Sequence, residues 1–337
     1  MNTMGKTKII SGAVLSIVMA LSIFSCIQGE TTVAASDVVN KSDAKYSYSD
    51  MQKDILALCK KYPDRIRVST LAKTADKRNI YCLCMGDPGA KKQIVVTAGV
   101  HAREYINCQI AMALAERYCR KYYTGSYKGK KYSDLFSNTA VYILPMVNPD
   151  GVTISQYGPK KIKDKKLRAK IRKTKRIGSY KNWKANARAV DINRNFSSGF
   201  GKGSTRHHRC SENYCGKKAN SECETRAVIS RIKKCSNCSA VINLHSMGKL
   251  VYWGYTGKRK SPELKLKSMV LSTTKYSSEE ETGKGCGDME HYLRNKAKKV
   301  YVCIENGIGK VPVSHKQFSG IYKKNYKLIE KASYIFR

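Results

Sequence analysis

The sequence predicts an α/β fold, a sandwich of helices around a mixed sheet. Three observations predict it. Apolar strand-like runs alternate with helix-periodic segments along most of the chain. No internal repeat or interdomain linker divides them. His101, His245 and Glu305 each fall directly after an apolar run. In open α/β sheets ligands bind beyond the carboxyl ends of the strands, so three polar residues at three strand ends can converge.

The elements follow in order. Residues 1–35 read as an export signal, with Lys6 and Lys8 before an apolar stretch from Ile9 to Ile23. Val33-Ala34-Ala35 supplies a small-residue cleavage site before Ser36. A loose lipid-attachment motif, Ile23-Phe24-Ser25-Cys26, is the competing reading, and Phe24 fits it poorly. Either reading takes the mature protein out of the cytoplasm. The apolar run is short for a membrane span, and no later stretch reaches about 18 apolar residues. The mature form, residues 36–337, should be one domain without a transmembrane span.

A helix opens at Ser49 or Asp50, with Met51, Ile55, Leu56 and Leu58 at helical spacing, and Tyr62-Pro63-Asp64 ends it. Strand-like runs follow at 67–71, 80–85 and 93–100. Ile106 begins a helix running to about Tyr123. A strand at 140–147 stops at a turn, Asn148-Pro149-Asp150-Gly151. A helix is expected over 221–234, strands at 239–244 and 250–255, and a helix over 262–274. A strand at 299–304 leads to Glu305, and a helix over 322–335 closes the chain.

The formal net charge is +39. Lys6, Lys8 and Glu30 are the charges that leave with residues 1–35, so +38 remains. Such a balance attracts polyanions, and for an exported protein anionic cell-wall polymers fit best. Nucleic acid is not expected, because no binding motif is present and aromatic residues do not interleave with the charges. Residues 160–176 hold eleven basic residues and one acid, with Leu167 and Ile171 four apart. This run reads as a solvated surface insertion with a short helix, or as a patch that steers wall or substrate.

Thirteen cysteines occur, and twelve remain once Cys26 is removed. An exported chain permits disulfides. Cys210, Cys215 and Cys223 crowd one loop-like region, and Cys235-Ser-Asn-Cys238 lies close behind. Cys82, Cys84, Cys108, Cys119 and Cys303 sit in apolar patterns and read as buried thiols. His207 and His208 beside Cys210 match no zinc-ribbon spacing, so a second metal is not expected.

The chemistry gathers in a few strings. His101 and Glu104, three apart at a strand-to-helix junction, can point at one cation, and His245 offers a third ligand. Two imidazoles and a carboxylate form a catalytic zinc set with a position left for water. Glu305 is the candidate general base, taking a proton from that water and passing it to a leaving amine. In Asp191-Ile-Asn-Arg-Asn195, Arg194 can grip a carboxylate with two parallel hydrogen bonds, and Asn193 can add a donor.

These strings resemble the zinc metallocarboxypeptidases of the carboxypeptidase A type. The matching pieces are His101-Ala-Arg-Glu104, Asn148-Pro-Asp-Gly151, Asp191-Ile-Asn-Arg-Asn195, Ser221-Glu-Cys-Glu-Thr225, Leu244-His245-Ser246 and Glu305, in the family's order. The resemblance covers roughly residues 46–335. It implies a three-layer α/β/α sandwich on an eight-stranded mixed, mostly parallel sheet. It implies one zinc per chain, a monomer, and hydrolysis of an amide next to a free carboxylate. Arg103 would contact the substrate backbone. The cation for the tetrahedral oxyanion would be Lys184, after Trp183, or Arg188. Tyr276 would be a mobile substrate cap. Asp288, near Gly285-Cys286-Gly287, would favour a basic side chain or serve structure.

The Trp-Lys-Ala-Asn-Ala-Arg stretch looks like the bacterial branch with γ-D-glutamyl-diaminopimelate peptidases. Peptide C-termini and peptidoglycan stem peptides are therefore the two expected substrates. An inhibitory prosegment appears absent. A catalytically dead binding module would lack a ligand or the Glu, and here all are present. A small-molecule deacylase would not need the Asn193-Arg194 clamp.

Overall fold

A computed structural model describes residues 37–175, 178–235, 237–257 and 261–337. The export-signal segment and Cys26 lie outside the described residues. Asp37–Arg337 forms one compact unit.

Its centre is an eight-stranded sheet: β1 (Ile66–Lys73), β2 (Asn79–Met85), β3 (Lys92–Ala98), β4 (Thr139–Leu144), β5 (Cys238–His245), β6 (Leu250–Trp253), β7 (Ser277–Glu280) and β8 (Tyr301–Glu305). The spatial order is β1-β2-β4-β3-β5-β8-β6-β7. The inner pairs β4/β3, β3/β5 and β5/β8 are parallel, and so is β6/β7 at one edge. The pairs β1/β2, β2/β4 and β8/β6 are antiparallel. Parallel strands need both faces covered. Accordingly β3 and β5 are apolar on both faces, with Ile94, Val95, Val96, Val241 and Ile242 all buried. Each such side chain stabilises the fold by about 1.5–3 kcal/mol.

One layer contains α1 (Tyr48–Lys61) and α2 (Ile106–Lys121). Both contribute to the larger apolar cluster, with Met51, Leu58, Ile110 and Leu114. The opposite face packs Val228 and Ile232 of a later helix, Cys223–Lys234, with Val95 and Val241. The sandwich expected from sequence is therefore present.

Several boundaries differ. Ser47, not Ser49 or Asp50, caps α1, because its hydroxyl accepts from Asp50 N while the Asp50 carboxylate accepts from Ser47 N. Asn148-Pro-Asp-Gly is not a bare turn but the start of α3 (Pro149–Tyr157). Asn148 Oδ1 accepts from Gly151 N at 3.0 Å, and Pro149 occupies the first turn, where its missing N–H costs nothing. The basic run does form a helix, α4 (Lys165–Thr174), capped by Asp164 and seated through Ile171. The helix Cys223–Lys234 is α5, and Ser261–Thr274 is α6. The closing segment is two helices, Phe318–Asn325 and Leu328–Ile335, rather than one. No helix among the described residues is long and apolar enough to cross a membrane.

All twelve cysteines of the described residues are free thiols. Cys210, Cys215 and Cys223 are close in sequence but unbridged. Cys215 donates to Arg206 O and Gly216 O, while Cys223 donates to Glu224 Oε2 at 3.2 Å, so each faces its own local acceptor. Of the cysteines expected as buried thiols, Cys82, Cys108, Cys119 and Cys303 are buried and Cys84 is half-buried.

Candidate active site

The site lies where β3, β5 and β8 end. After β3, Gly99 turns the chain with φ +65°, and a Cβ there would meet Cys108 Sγ at 2.5 Å. This turn delivers His101, and Glu104 follows just before α2. His245 is the last residue of β5 and Glu305 the last of β8, paired side by side in register.

His101 Nδ1 lies 2.8 Å from Glu104 Oε1 and 3.1 Å from His245 Nδ1. His245 Nδ1 lies 3.0 Å from Glu104 Oε2. The three ligand atoms face one point. Two imidazole nitrogens this close need a proton or a cation between them, and all three residues are buried. Two imidazoles and a carboxylate without a thiolate suit a borderline divalent ion such as zinc. The residues fit the metal.

The shell behind them is polar and connected. Ser246 N donates to Glu104 Oε2, and Asn107 Nδ2 donates to Ser246 Oγ at 2.9 Å. Asn306 Nδ2 donates to Asn107 Oδ1, and Asn306 Oδ1 accepts from Asn325 and from the Tyr276 hydroxyl. Asp191 serves the other side. Its Oδ1 lies 3.4 Å from His101 Nε2, and its Oδ2 lies 3.0 Å from Lys184 Nζ. Such a carboxylate orients a metal-binding imidazole and fixes its tautomer. The sequence reading gives Asp191 no role, although it opens the string that holds Asn193 and Arg194.

Charge tuning follows from burial and neighbours. Burial opposes ionisation of Glu104, but His101 and His245 outweigh it and hold the carboxyl below its usual range. Burial likewise opposes a charged His245, yet Glu104 and Glu305 raise it to about 9. Asp191 is held well below the ordinary carboxylate range, with Lys184 and His101 overcoming its burial. Glu305 is pushed up to about 8 by burial and by Glu104 and Glu290, with His245 and Lys184 opposing. Glu305 Oε2 is buried with no hydrogen-bond partner among the described residues. A poised carboxylate with a free lone pair, beside a metal set, is suited to accept a proton.

The remaining residues fall into two groups. Lys184 is buried beside Asp191 and faces the site, with a longer contact of 3.4 Å to Asn213 Oδ1. Arg194 donates to Asn193 O and Ser204 O, with no carboxylate in ion-pair range among the described residues, so its fork is open to an anion. Gly287, with φ +84°, permits this loop, because a Cβ there would meet Arg194 O at 2.3 Å. Arg103, beside the ligands in sequence, pairs with Glu212 and donates to Asn182 O.

Four of the expected site residues have partners or places that bear on their roles. Arg188 is exposed and lines a separate cavity with Arg209 and Lys217, whereas Lys184 lies against Asp191. Asn193 is not a free donor. Its carbonyl accepts from Met289 N and its amide donates to Glu290 Oε2. Tyr276 is 7% exposed and hydrogen-bonded behind the metal ligands, so it is not placed as a mobile cap. Asp288 caps the turn Met289–Tyr292, accepts from His291 N and Cys286 N, and pairs with His291 at 2.7 Å, a structural place.

The fold and this geometry agree with known proteins. Residues 51–310 match the Peptidase_M14 family model, described as zinc carboxypeptidase. Carboxypeptidase A4 of Mus musculus is 31% identical over 202 residues, covering 59% of this chain and 44% of that protein. The chain thus spans about half the length of the curated carboxypeptidases it matches. The crystal structure of thrombin activatable fibrinolysis inhibitor superposes with a TM-score of 0.69 at 19% identity, covering 88% of this chain and 76% of that one. Murein-tripeptide amidase MpaA from Escherichia coli O157 superposes with a TM-score of 0.50 at 17% identity, covering 80% and 91%. The family match, laid over a site that joins His101, Glu104 and His245, shows that the chain belongs to the zinc carboxypeptidase family.

Proposed function

We propose that this chain is an exported zinc carboxypeptidase that hydrolyses the amide bond next to a free C-terminal carboxylate. One observation carries the reading: a buried two-histidine, one-glutamate set with Glu305 in register beside His245. A zinc ion held by His101, Glu104 and His245 supplies a Lewis acid that polarises the scissile carbonyl and makes a water more acidic.

The chain's own residues do the rest. Glu305 takes the proton of the attacking water at its unpartnered Oε2 and passes it to the leaving amine. The Lys184 ammonium offers positive charge to the developing oxyanion. Asp191 holds Lys184 and His101 together, so the cation and the metal ligand share one anchor. Arg194 grips the terminal carboxylate, and Asn193 fixes the Arg194 loop through Glu290 and Met289. Arg103 lines the approach of the substrate backbone. Export is supported by the signal-like residues 1–35.

The stem peptide of peptidoglycan is the second substrate reading. It is favoured by the likeness to a murein-tripeptide amidase and by a net charge suited to an anionic wall. Titration with zinc tests the core of the proposal. Turnover should rise to a plateau at one zinc per chain and vanish with a chelator. Glu305→Gln should bind the same zinc without turnover. A Glu305→Gln protein that still turns over would remove Glu305 from its role.

A further inference from the structure

At the opposite end of β5 from His245, two cysteines meet. Cys235 closes α5, its N–H donating to Arg231 O and Ile232 O, and it is fully buried. Cys238 opens β5 and is half-buried. Cys238 N donates back to Cys235 O at 3.3 Å, which holds Cys238 close to Cys235. The two thiols come close enough to influence each other, and the Cys238 thiol also donates to Ala240 O at 3.6 Å. Both pack with the apolar cluster under that sheet face.

Cations surround the pair. The Arg231 guanidinium lies 3.8 Å from the centre of the Tyr142 ring, and its Nε has no partner in the protein. Lys299 Nζ reaches Cys235 O at 3.4 Å. The other cysteines face different partners: Cys82 and Cys215 donate to backbone carbonyls, Cys223 to a carboxylate.

We infer that Cys235 and Cys238 form a redox-active dithiol, a site of thiol–disulfide exchange that staples the end of α5 to the start of β5. The two thiols take different roles. Cys238, half-buried, is the nearer of the two to solvent, while Cys235 is buried. Cys235 is the more acidic thiol, because the Cys238 hydrogen bond first, then Arg231 and Lys299, hold it down to about 7 against burial. The Cys238 thiol is pushed well above its ordinary value by that same hydrogen bond and by burial.

A low-molecular-weight disulfide is the oxidant. Cys238 gives its proton to solvent and attacks one sulfur of the reagent. The reagent's S–S bond breaks, and the first thiolate leaves and takes up a proton. Cys235, its proton given to solvent, then attacks the Cys238 sulfur of the mixed disulfide and expels the second thiolate. Two protein thiols and one disulfide become one protein disulfide and two small thiols, with two electrons passing to the reagent. The chain's ordinary redox surroundings set how far this runs. The active-site residues take no part.

The test uses the full chain, reduced and then equilibrated in mixtures of reduced and oxidised glutathione. Acid quenching and alkylation under denaturing conditions trap the remaining thiols. Trypsin releases residues 235–249, which contain both cysteines and no others. The expected result is a peptide that loses both alkyl groups together and carries an internal disulfide. In Cys235→Ser the exchange should stop at the mixed disulfide, leaving glutathione on Cys238. Both cysteines still fully alkylated in oxidised glutathione, or either one joined to a cysteine elsewhere in the chain, would overturn the inference.

Discussion

Two residues carry the chemistry that most separates this site from a merely structural cluster. Lys184 is a point charge anchored on Asp191, so its ammonium has one favoured direction. Lys184→Ala should lower kcat by about 10²–10³-fold with a smaller change in KM, as loss of an oxyanion contact does. An unchanged kcat would exclude it from the reaction. Arg194 has no carboxylate in ion-pair range among the described residues, so Arg194→Ala should penalise peptides with a free C-terminus far more than their amidated forms. Equal effects on both would contradict the clamp. At this scale the meeting of His101, His245 and Glu305 was readable in the sequence, because each follows an apolar run and the strand-end rule brings such residues together. The sequence says less about Asn193, Tyr276 and Asp288, for one reason. A polar residue near a site looks the same in sequence whether its hydrogen bonds are open or already committed to Glu290, Asn306 or His291.

Among the elements, the least readable were those built from polar residues. β7 is Ser-Ser-Glu-Glu with every side chain exposed, so it has no apolar alternation to reveal it. It pairs beside β6 at the edge of the sheet through its backbone alone. α3 was hidden because Asn-Pro-Asp-Gly signals a turn and a helix start equally well. α4 was visible through Leu167 and Ile171, and Ile171 is its buried anchor. Ile171→Ala should loosen α4 locally, seen as faster tryptic cleavage within 165–175, while kcat/KM on a neutral peptide stays constant. Unchanged cleavage would mean that the Asp164 cap suffices.

α5 carries a buried carboxylate with a stability consequence. Glu224 is raised to about 7 by burial and by its neighbours Glu222 and Asp150, and its Oε1 has no partner. A carboxyl raised on folding adds stability below the unfolded value, and that stability is lost as pH rises through the folded one. Between about pH 4.5 and pH 7 the native chain should therefore lose of order 3 kcal/mol relative to Glu224→Gln. Denaturant unfolding of both proteins across this range checks it, and parallel curves would refute it.

For the molecule as a whole, the sandwich was legible because its inner strands are apolar on both faces and alternate with amphipathic helices. The strand order was not, since β3, β5 and β8 lie far apart in sequence and nothing local encodes their pairing. The charge of +39 is a property of the same scale, and it predicts binding to phosphate-bearing polymers that weakens steeply as salt rises. Neutralising the basic side chains of α4 should reduce that affinity and its salt slope without altering turnover of a small peptide. An unchanged slope would place the attraction elsewhere on the surface.

The most direct test of the central claim is mass spectrometry of the products made by the zinc-loaded chain, with Glu305→Gln as control. The substrates would be linear peptides with free or amidated C-termini and a γ-D-glutamyl-diaminopimelate stem peptide. The account predicts removal of single C-terminal residues from substrates with a free carboxylate and none from amidated ones. Cleavage of the stem peptide alone would narrow the substrate to the wall. Internal cleavage, cleavage that ignores the carboxylate, or no cleavage of any substrate by a chain that holds its zinc would contradict it.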